Sequence, residues 1–103
     1  MSNVSALYSS FHEDTSMTEL LREFVVSARQ HATALLADAD AGRWEEVRRR
    51  AHQLKGSGGS YGFAVLTELA GELDTAIRAN GAAEELRDGV VKLVAALRGL
   101  AAP

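Results

Sequence analysis

Apolar residues recur at helical spacing along most of the chain after its first 14 residues. The first series comprises Met17, Leu20, Leu21, Phe24, Ala28, Leu35 and Ala39, at spacings of three, four or seven residues, apart from a break around His31. Ser16 and Glu19 form the capping-box pattern Ser-Met-Thr-Glu, which is typical of a helix N-terminus. We therefore expect a first helix from about Ser16 to Asp40, ending near Gly42 because glycine suits a left-handed C-terminal position.

Three further segments repeat this periodicity. The second runs from about Arg43 to Gly58, the third from Phe63 to just before Asn80, and the fourth through Leu86 to Leu100. No stretch alternates apolar and polar residues well enough to predict a strand. Four amphipathic helices joined by short turns predict an all-α fold, an antiparallel up-down four-helix bundle over residues 15–101, preceded by an N-terminal arm over residues 1–14.

Composition narrows the range of partners and locations. The 103 residues support one domain with a single core, and the net charge of −3 argues against a protein that binds nucleic acid through phosphate contacts. No apolar run approaches the roughly 18 residues of a membrane span, and the absence of cysteine fits a reducing compartment. We therefore expect a monomeric, cytoplasmic domain that binds neither nucleic acid nor a membrane.

The second helix carries the residues that are candidates for a chemical function. At 100° per residue, one face holds Val47, Ala51, Leu54 and Gly58, and the opposite face groups Glu45, Arg48, Lys55, Gly56 and Gly59 around His52. An exposed imidazole can carry a phosphoryl group, and Lys55 can offset the charge of that group during transfer. Gly56 and Gly59 would leave clearance for another protein to approach His52. The same residues also fit an ordinary surface histidine next to a helix end.

The run Ala51-His52-Gln53-Leu54-Lys55-Gly56-Ser57, followed by Gly62 and Leu66, resembles the signature of histidine-containing phosphotransfer (HPt) domains. The resemblance implies a phosphorelay intermediate that takes a phosphoryl group on His52 and passes it to or from receiver-domain aspartates. It also implies that Lys55 is the neighbouring cation and that Gly56 and Gly59 provide docking clearance.

Two alternatives to the phosphorelay function stay open. The residues from Gly62 to Glu68 are also similar to the phosphotransfer domain of chemotaxis-type histidine kinases, which an ATP-binding kinase domain phosphorylates. The other alternative is a helical adaptor that is not phosphorylated, although the intact His52 argues against it. The direction of transfer, the cognate kinase and regulator, and whether these residues belong to a larger kinase also stay open.

Three more charged residues are candidates for the site. Asp74 lies 22 residues after His52, where the chemotaxis-type domains have a carboxylate, usually the longer Glu, that orients the histidine. The alternative for Asp74 is a solvated side chain paired with Arg78 at i+4. Arg48 and Arg49 flank His52 on the helical wheel, as candidates for docking an acidic receiver or as a solvated face.

The other histidines do not predict a metal site. His12 and His31 lack a second ligand at convincing spacing. No phosphate-cradling loop is present in the sequence either, so we expect a phosphocarrier rather than an enzyme. The resemblance implies that the chain binds no cofactor, and that its partners supply the activated phosphate and the Mg²⁺, the latter in the receiver.

Overall fold

Four α-helices make up most of the computed structural model, which describes residues 6–103. They are α1 (Thr18–Asp40), α2 (Trp44–Ser60), α3 (Ala64–Arg78) and α4 (Ala83–Gly99). One 3-10 turn, Thr15–Met17, precedes α1, and the two-residue strands β1 (Leu7–Tyr8) and β2 (Leu100–Ala101) lie near the two ends of the described chain. The predicted all-α bundle is confirmed.

Short turns reverse the chain between the helices. Gly42, with φ of +72°, follows the end of α1, and Gly62, with φ of +79°, follows the end of α2. Asn80 takes the left-handed conformation after α3, with φ of +55°. Because each turn is short, consecutive helices run antiparallel, and each helix contacts two neighbours: α1 packs on α2 and α4, and α3 packs on α2 and α4.

Each helix buries one stripe of side chains against the others. The buried residues of the helices include Leu21, Phe24, Val25, Ala28, Ala32, Leu35, Ala39, Val47, Ala51, Leu54, Gly58, Leu66, Ala70, Leu73, Leu86, Val90, Leu93, Val94, Ala96 and Leu97. Ala32 carries the α1 stripe past His31, where the predicted pattern is interrupted. The expectation that Leu20 joins this stripe is wrong: Leu20 is exposed, because it lies about 100° around the helix from buried Leu21.

The start of α1 differs from the predicted capping box. Asp14, rather than Ser16, caps this region: its carboxylate accepts hydrogen bonds from the Ser16 backbone amide at 3.0 Å and from the Ser16 hydroxyl at 2.6 Å. The Ser16 hydroxyl is therefore occupied as a donor to Asp14, and the first residues form a 3-10 turn before α1 begins at Thr18. The hydrogen bond from the Ser16 hydroxyl, followed by the one from its amide, lowers the pKa of Asp14.

The described part of the N-terminal arm packs against the bundle. Leu7–Tyr8 pairs in parallel with Leu100–Ala101, although the sequence predicted no strand, since two residues are too few to show alternation. Ser9 is buried, and its hydroxyl donates to the Tyr61 carbonyl at the end of α2. The backbone amide of Ser10 donates to the Gly62 carbonyl at 2.9 Å. Residues 1–5 of the predicted arm lie outside the described residues, and the division at residue 14 stays a prediction.

Candidate functional site

His52 lies on the outer face of α2. Its side chain is 61% exposed, whereas Val47, Ala51, Leu54 and Gly58 on the opposite face are buried. The predicted division of this helix into a core face and an outer face is therefore confirmed at these positions. The imidazole stands on a helix that is packed along its length against α3.

Asp74 on α3 contacts the His52 ring. The Nδ1–H group of His52 donates to Asp74 Oδ2 across 3.0 Å, and this hydrogen bond leaves Nε2 as the nitrogen with a lone pair. The Asp74 side chain is only 7% exposed, so the expectation of a solvated carboxylate is wrong, while its expected partner Arg78 is present. Leu73 is buried beside it, which places Asp74 at the margin between α2 and α3.

Asp74 is ionised despite its burial. Burial is the largest single influence and opposes ionisation, but the hydrogen bonds from His52 and Arg78 and the charges of the same two residues together lower the pKa of Asp74 below its usual value. An ionised carboxylate can only accept hydrogen bonds, so it selects the His52 tautomer with the proton on Nδ1.

Three glycines near the end of α2 meet different surroundings. A β-carbon at Gly56 would meet nothing within 4 Å, and one at Gly59 would meet only Thr67 Oγ1, at 3.4 Å. Gly58, in contrast, is buried, and a β-carbon there would lie 2.8 Å from Leu66 Cβ. Gly56 and Gly59 therefore leave the outer face of α2 without a side chain one and two turns beyond His52. On the inner face, the absence of a side chain at Gly58 allows α3 to pack closely against α2.

The helix continues through these glycines to Ser60, two residues beyond the predicted end. The Ser57 hydroxyl donates to the Gln53 carbonyl, and the Ser60 hydroxyl donates to the Gly56 carbonyl. Each hydroxyl thus donates to the carbonyl oxygen four residues earlier in the same helix. His52, Gly56 and Gly59 consequently share one continuous helix.

Lys55 is exposed, and its stem lies along α3. A β-carbon at Gly71 would meet Lys55 Cδ at 3.5 Å and Cε at 3.6 Å, so the lack of a side chain at Gly71 gives the stem room. The Thr67 hydroxyl donates to the Lys55 carbonyl at 3.0 Å. Gly71 and Asp74 lie one turn apart on α3, so the lysine stem contacts α3 one turn from the carboxylate that binds His52. Sequence reasoning missed Thr67 and Gly71, because such contacts join residues far apart in the chain.

The two candidate docking arginines differ in their surroundings. Arg48 is 22% exposed; it binds the Glu45 carboxylate through Nε and Nη2, and its Nη1 lies 3.6 Å from Asp74 Oδ1. The Glu45 hydrogen bond is the main reason that the pKa of Arg48 is raised. Arg49 is exposed and pairs with Glu46 at 3.3 Å. Arg48 is therefore partly buried next to Asp74, whereas Arg49 is solvated. Docking of a receiver by these two arginines stays a prediction.

Within residues 6–103, no group of three histidine, aspartate or glutamate side chains is placed to hold a metal ion. His31, half-buried between α1 and α2, instead accepts a hydrogen bond from Arg50 at 2.9 Å. In the same part of the chain, no helix has the length and apolar character that crossing a bilayer requires.

Comparison with known proteins identifies a family and a relative of this chain. The family model described as "Hpt domain" matches residues 19–102. The chain is also 36% identical over 72 residues to "Sensor protein TorS" of Escherichia coli (strain K12). That alignment covers 64% of this chain and only 8% of TorS. No solved structure matches the chain.

Proposed function

The chain belongs to the Hpt domain family, and on that basis we propose that it exchanges a phosphoryl group between His52 and the aspartates of response-regulator receiver domains. A role in histidine phosphotransfer within two-component signalling follows from the family, whose members are phosphocarrier modules rather than catalysts. The assignment of the reactive residue, its helpers and its partners is our proposal.

The observation that carries the proposal is an exposed imidazole whose Nδ1 is held by a buried carboxylate. In the forward step, the Nε2 lone pair of His52 attacks the phosphorus of a receiver's aspartyl phosphate. An N–P bond forms while the P–O bond to the aspartate breaks, and the departing carboxylate keeps the electron pair. The ring becomes positively charged, and its Nδ1–H group stays hydrogen-bonded to Asp74. The reverse step returns the phosphoryl group to an aspartate.

Neighbouring residues support such an exchange. Lys55 brings a positive charge next to the incoming phosphoryl group, which carries negative charge throughout the transfer. Gly56 and Gly59 place no side chain on the outer face of α2 one and two turns beyond His52, so a receiver's active site can reach the imidazole over these positions. The chain supplies the nucleophile, and we expect the receiver to supply the Mg²⁺ that neutralises the phosphoryl oxygens.

A panel of purified, phosphorylated receiver domains tests the proposal against its alternatives. We expect acid-labile label to move from at least one receiver to this chain. Label that arrives only from ATP and a histidine-kinase catalytic domain would instead support a chemotaxis-type phosphotransfer domain. If neither donor labels the chain while it still binds receivers, the chain is a non-phosphorylated adaptor.

The Gly59→Gln variant tests whether the receiver approaches over the glycines. The added glutamine side chain should slow transfer from a phospho-receiver by about tenfold or more, because it obstructs a protein-sized donor. Labelling by phosphoramidate, a small donor, should change little and serves as the control. Equal losses with both donors would contradict steric docking, and unchanged transfer from the receiver would show that it approaches elsewhere.

A further inference from the structure

Asp74 is shared between the reactive histidine and two arginines. Its Oδ2 atom accepts a hydrogen bond from the Nδ1–H group of His52, while its Oδ1 atom accepts one from Arg78 Nε at 3.0 Å. Arg48 Nη1 approaches Oδ1 from α2, at 3.6 Å. The two carboxylate oxygens are thus divided: one faces the imidazole and the other faces the guanidinium groups.

This division matters because Asp74 is buried and has a short side chain. Burial disfavours the charged carboxylate, and a protonated or rotated carboxyl group would no longer select a single His52 tautomer. Arg78 is the cation that holds Oδ1 with a hydrogen bond, and its planar guanidinium fixes the direction of that bond. A carboxylate held at Oδ1 has little freedom to turn Oδ2 away from His52.

Arg78 can hold the Asp74 carboxylate without being buried itself. It lies one turn after Asp74 on the same helix and is largely exposed, so its side chain reaches back over the carboxylate from the solvent side. Arg48 contributes charge from the neighbouring helix, but its closest ion pair is with Glu45 at 2.7 Å. The hydrogen bond from Arg78 is therefore the main restraint on Oδ1.

Building on the proposed function, we infer that Arg78 is a positioning residue for phosphoryl transfer: it orients Asp74, which in turn fixes the His52 tautomer that presents Nε2. Arg78 does not touch the phosphoryl group. Its effect passes through Asp74, so it depends on the Asp74 carboxylate being present.

The test combines tautomer populations with labelling rates. Nitrogen NMR of the unphosphorylated domain, at a pH where His52 is neutral, should show a smaller Nδ1–H fraction in Arg78→Gln than in the wild type. Labelling by phosphoramidate should slow by about threefold to tenfold, the effect of a typical coupling between contacting residues. Arg78→Lys should recover part of the rate, because it keeps the charge but loses the planar donor. Arg29→Gln, an exposed position on α1, is the matched control.

A double-mutant cycle with Asp74→Asn decides whether Arg78 acts through Asp74. In the Asp74→Asn background, Arg78→Gln should cause no further loss of rate. The same fold loss in both backgrounds would overturn the inference, as would an unchanged tautomer or an unchanged rate in Arg78→Gln alone. The NMR measurement needs no phosphodonor, so it tests this inference even if His52 were never labelled, a result that would instead defeat the proposed function.

Discussion

Two adjacent glycines of α2 serve opposite faces of the same helix. Gly58 faces α3, where a β-carbon would come within 2.8 Å of Leu66 Cβ and 3.2 Å of the Phe63 carbonyl oxygen. Gly59 faces outward, beyond His52. Gly58 therefore sets how closely α2 and α3 pack, and this packing holds His52 against Asp74 on α3.

Substituting these glycines by alanine separates the two roles. Both changes favour the helix equally, so the difference between them reports packing. We expect Gly58→Ala to be less stable than Gly59→Ala by about 1–3 kcal/mol, the usual cost of adding a methyl group to a packed core. Urea unfolding followed by circular dichroism measures the difference, and equal stabilities would contradict the close contact.

The sequence predicted which side of α2 each of these residues occupies, because a helical wheel depends only on local spacing. It could not establish the burial of Asp74 or its bond to His52, because residues 22 positions apart meet only through the packing of α2 on α3. The resemblance to chemotaxis-type domains pointed to this pair. Arg78 was expected as a partner of Asp74 but not as part of a contact that reaches His52.

At the level of the elements, a polar contact joins α1 to α2. Arg50 Nη1 donates to His31 Nδ1 at 2.9 Å, so that nitrogen must be unprotonated. Burial, followed by repulsion from the Arg50 charge, lowers the pKa of His31 below its usual 6.5. The folded state therefore favours the neutral ring more strongly than the unfolded chain does.

This contact predicts a dependence of stability on pH. Because the folded pKa of His31 is the lower one, its stabilising effect is fully present above about pH 6.5 and is lost as the pH falls through the folded pKa. We expect wild type to lose more free energy of unfolding between pH 7.5 and pH 5.5 than His31→Gln, which cannot titrate there. Urea titrations at both pH values provide the measurement, and equal losses would show that His31 does not titrate differently on folding.

Periodicity predicted most helix bounds. The errors, at the start of α1 and the end of α2, occur where contacts other than helical spacing decide where the helix begins or ends. Asp14 took the capping role predicted for Ser16, since its carboxylate reaches both donors of that serine. The glycines of α2 looked like a helix end, but Gly58 is buried against α3, and this packing offsets the low helix propensity of glycine. Helix propensity, a property of single residues, accounts for neither the contact of Asp14 with Ser16 nor the packing of α2 on α3.

On the scale of the whole molecule, the segment Leu7–Ser10 contacts the residues that follow α2 and those that follow α4, which lie at the same end of the bundle. Its strand pairs with β2 after α4, and the next residues bond to Tyr61 and Gly62 after α2. Phe24 of α1 stacks on Tyr61 with ring centroids 4.6 Å apart, so α1 meets the same corner. Leu7–Ser10 therefore packs on the bundle through both a strand pair and hydrogen bonds.

Ser9 provides a direct test of this attachment. Its buried hydroxyl donates to the Tyr61 carbonyl and accepts a hydrogen bond from the Phe11 amide at 2.9 Å. Ser9→Ala should lower the free energy of unfolding by about 1–3 kcal/mol, because it leaves buried polar groups without partners. Exposed Ser10→Ala, which keeps its backbone bond to Gly62, is the control and should change stability little. Identical stabilities for the two variants would mean that the Ser9 hydroxyl does not stabilise the fold.

The central claim is that His52 is the phosphorylated residue, and mapping the label in wild type and His52→Gln tests it most directly. After reaction with a phosphodonor, we expect one acid-labile phosphoryl group per wild-type chain, bonded to Nε2 of His52 in phosphorus and nitrogen NMR spectra. His52→Gln should take up none, while its free energy of unfolding stays within about 1 kcal/mol of wild type because the side chain is exposed. Label that persists on His52→Gln, or that maps to His12 or His31 in the wild type, would contradict the account.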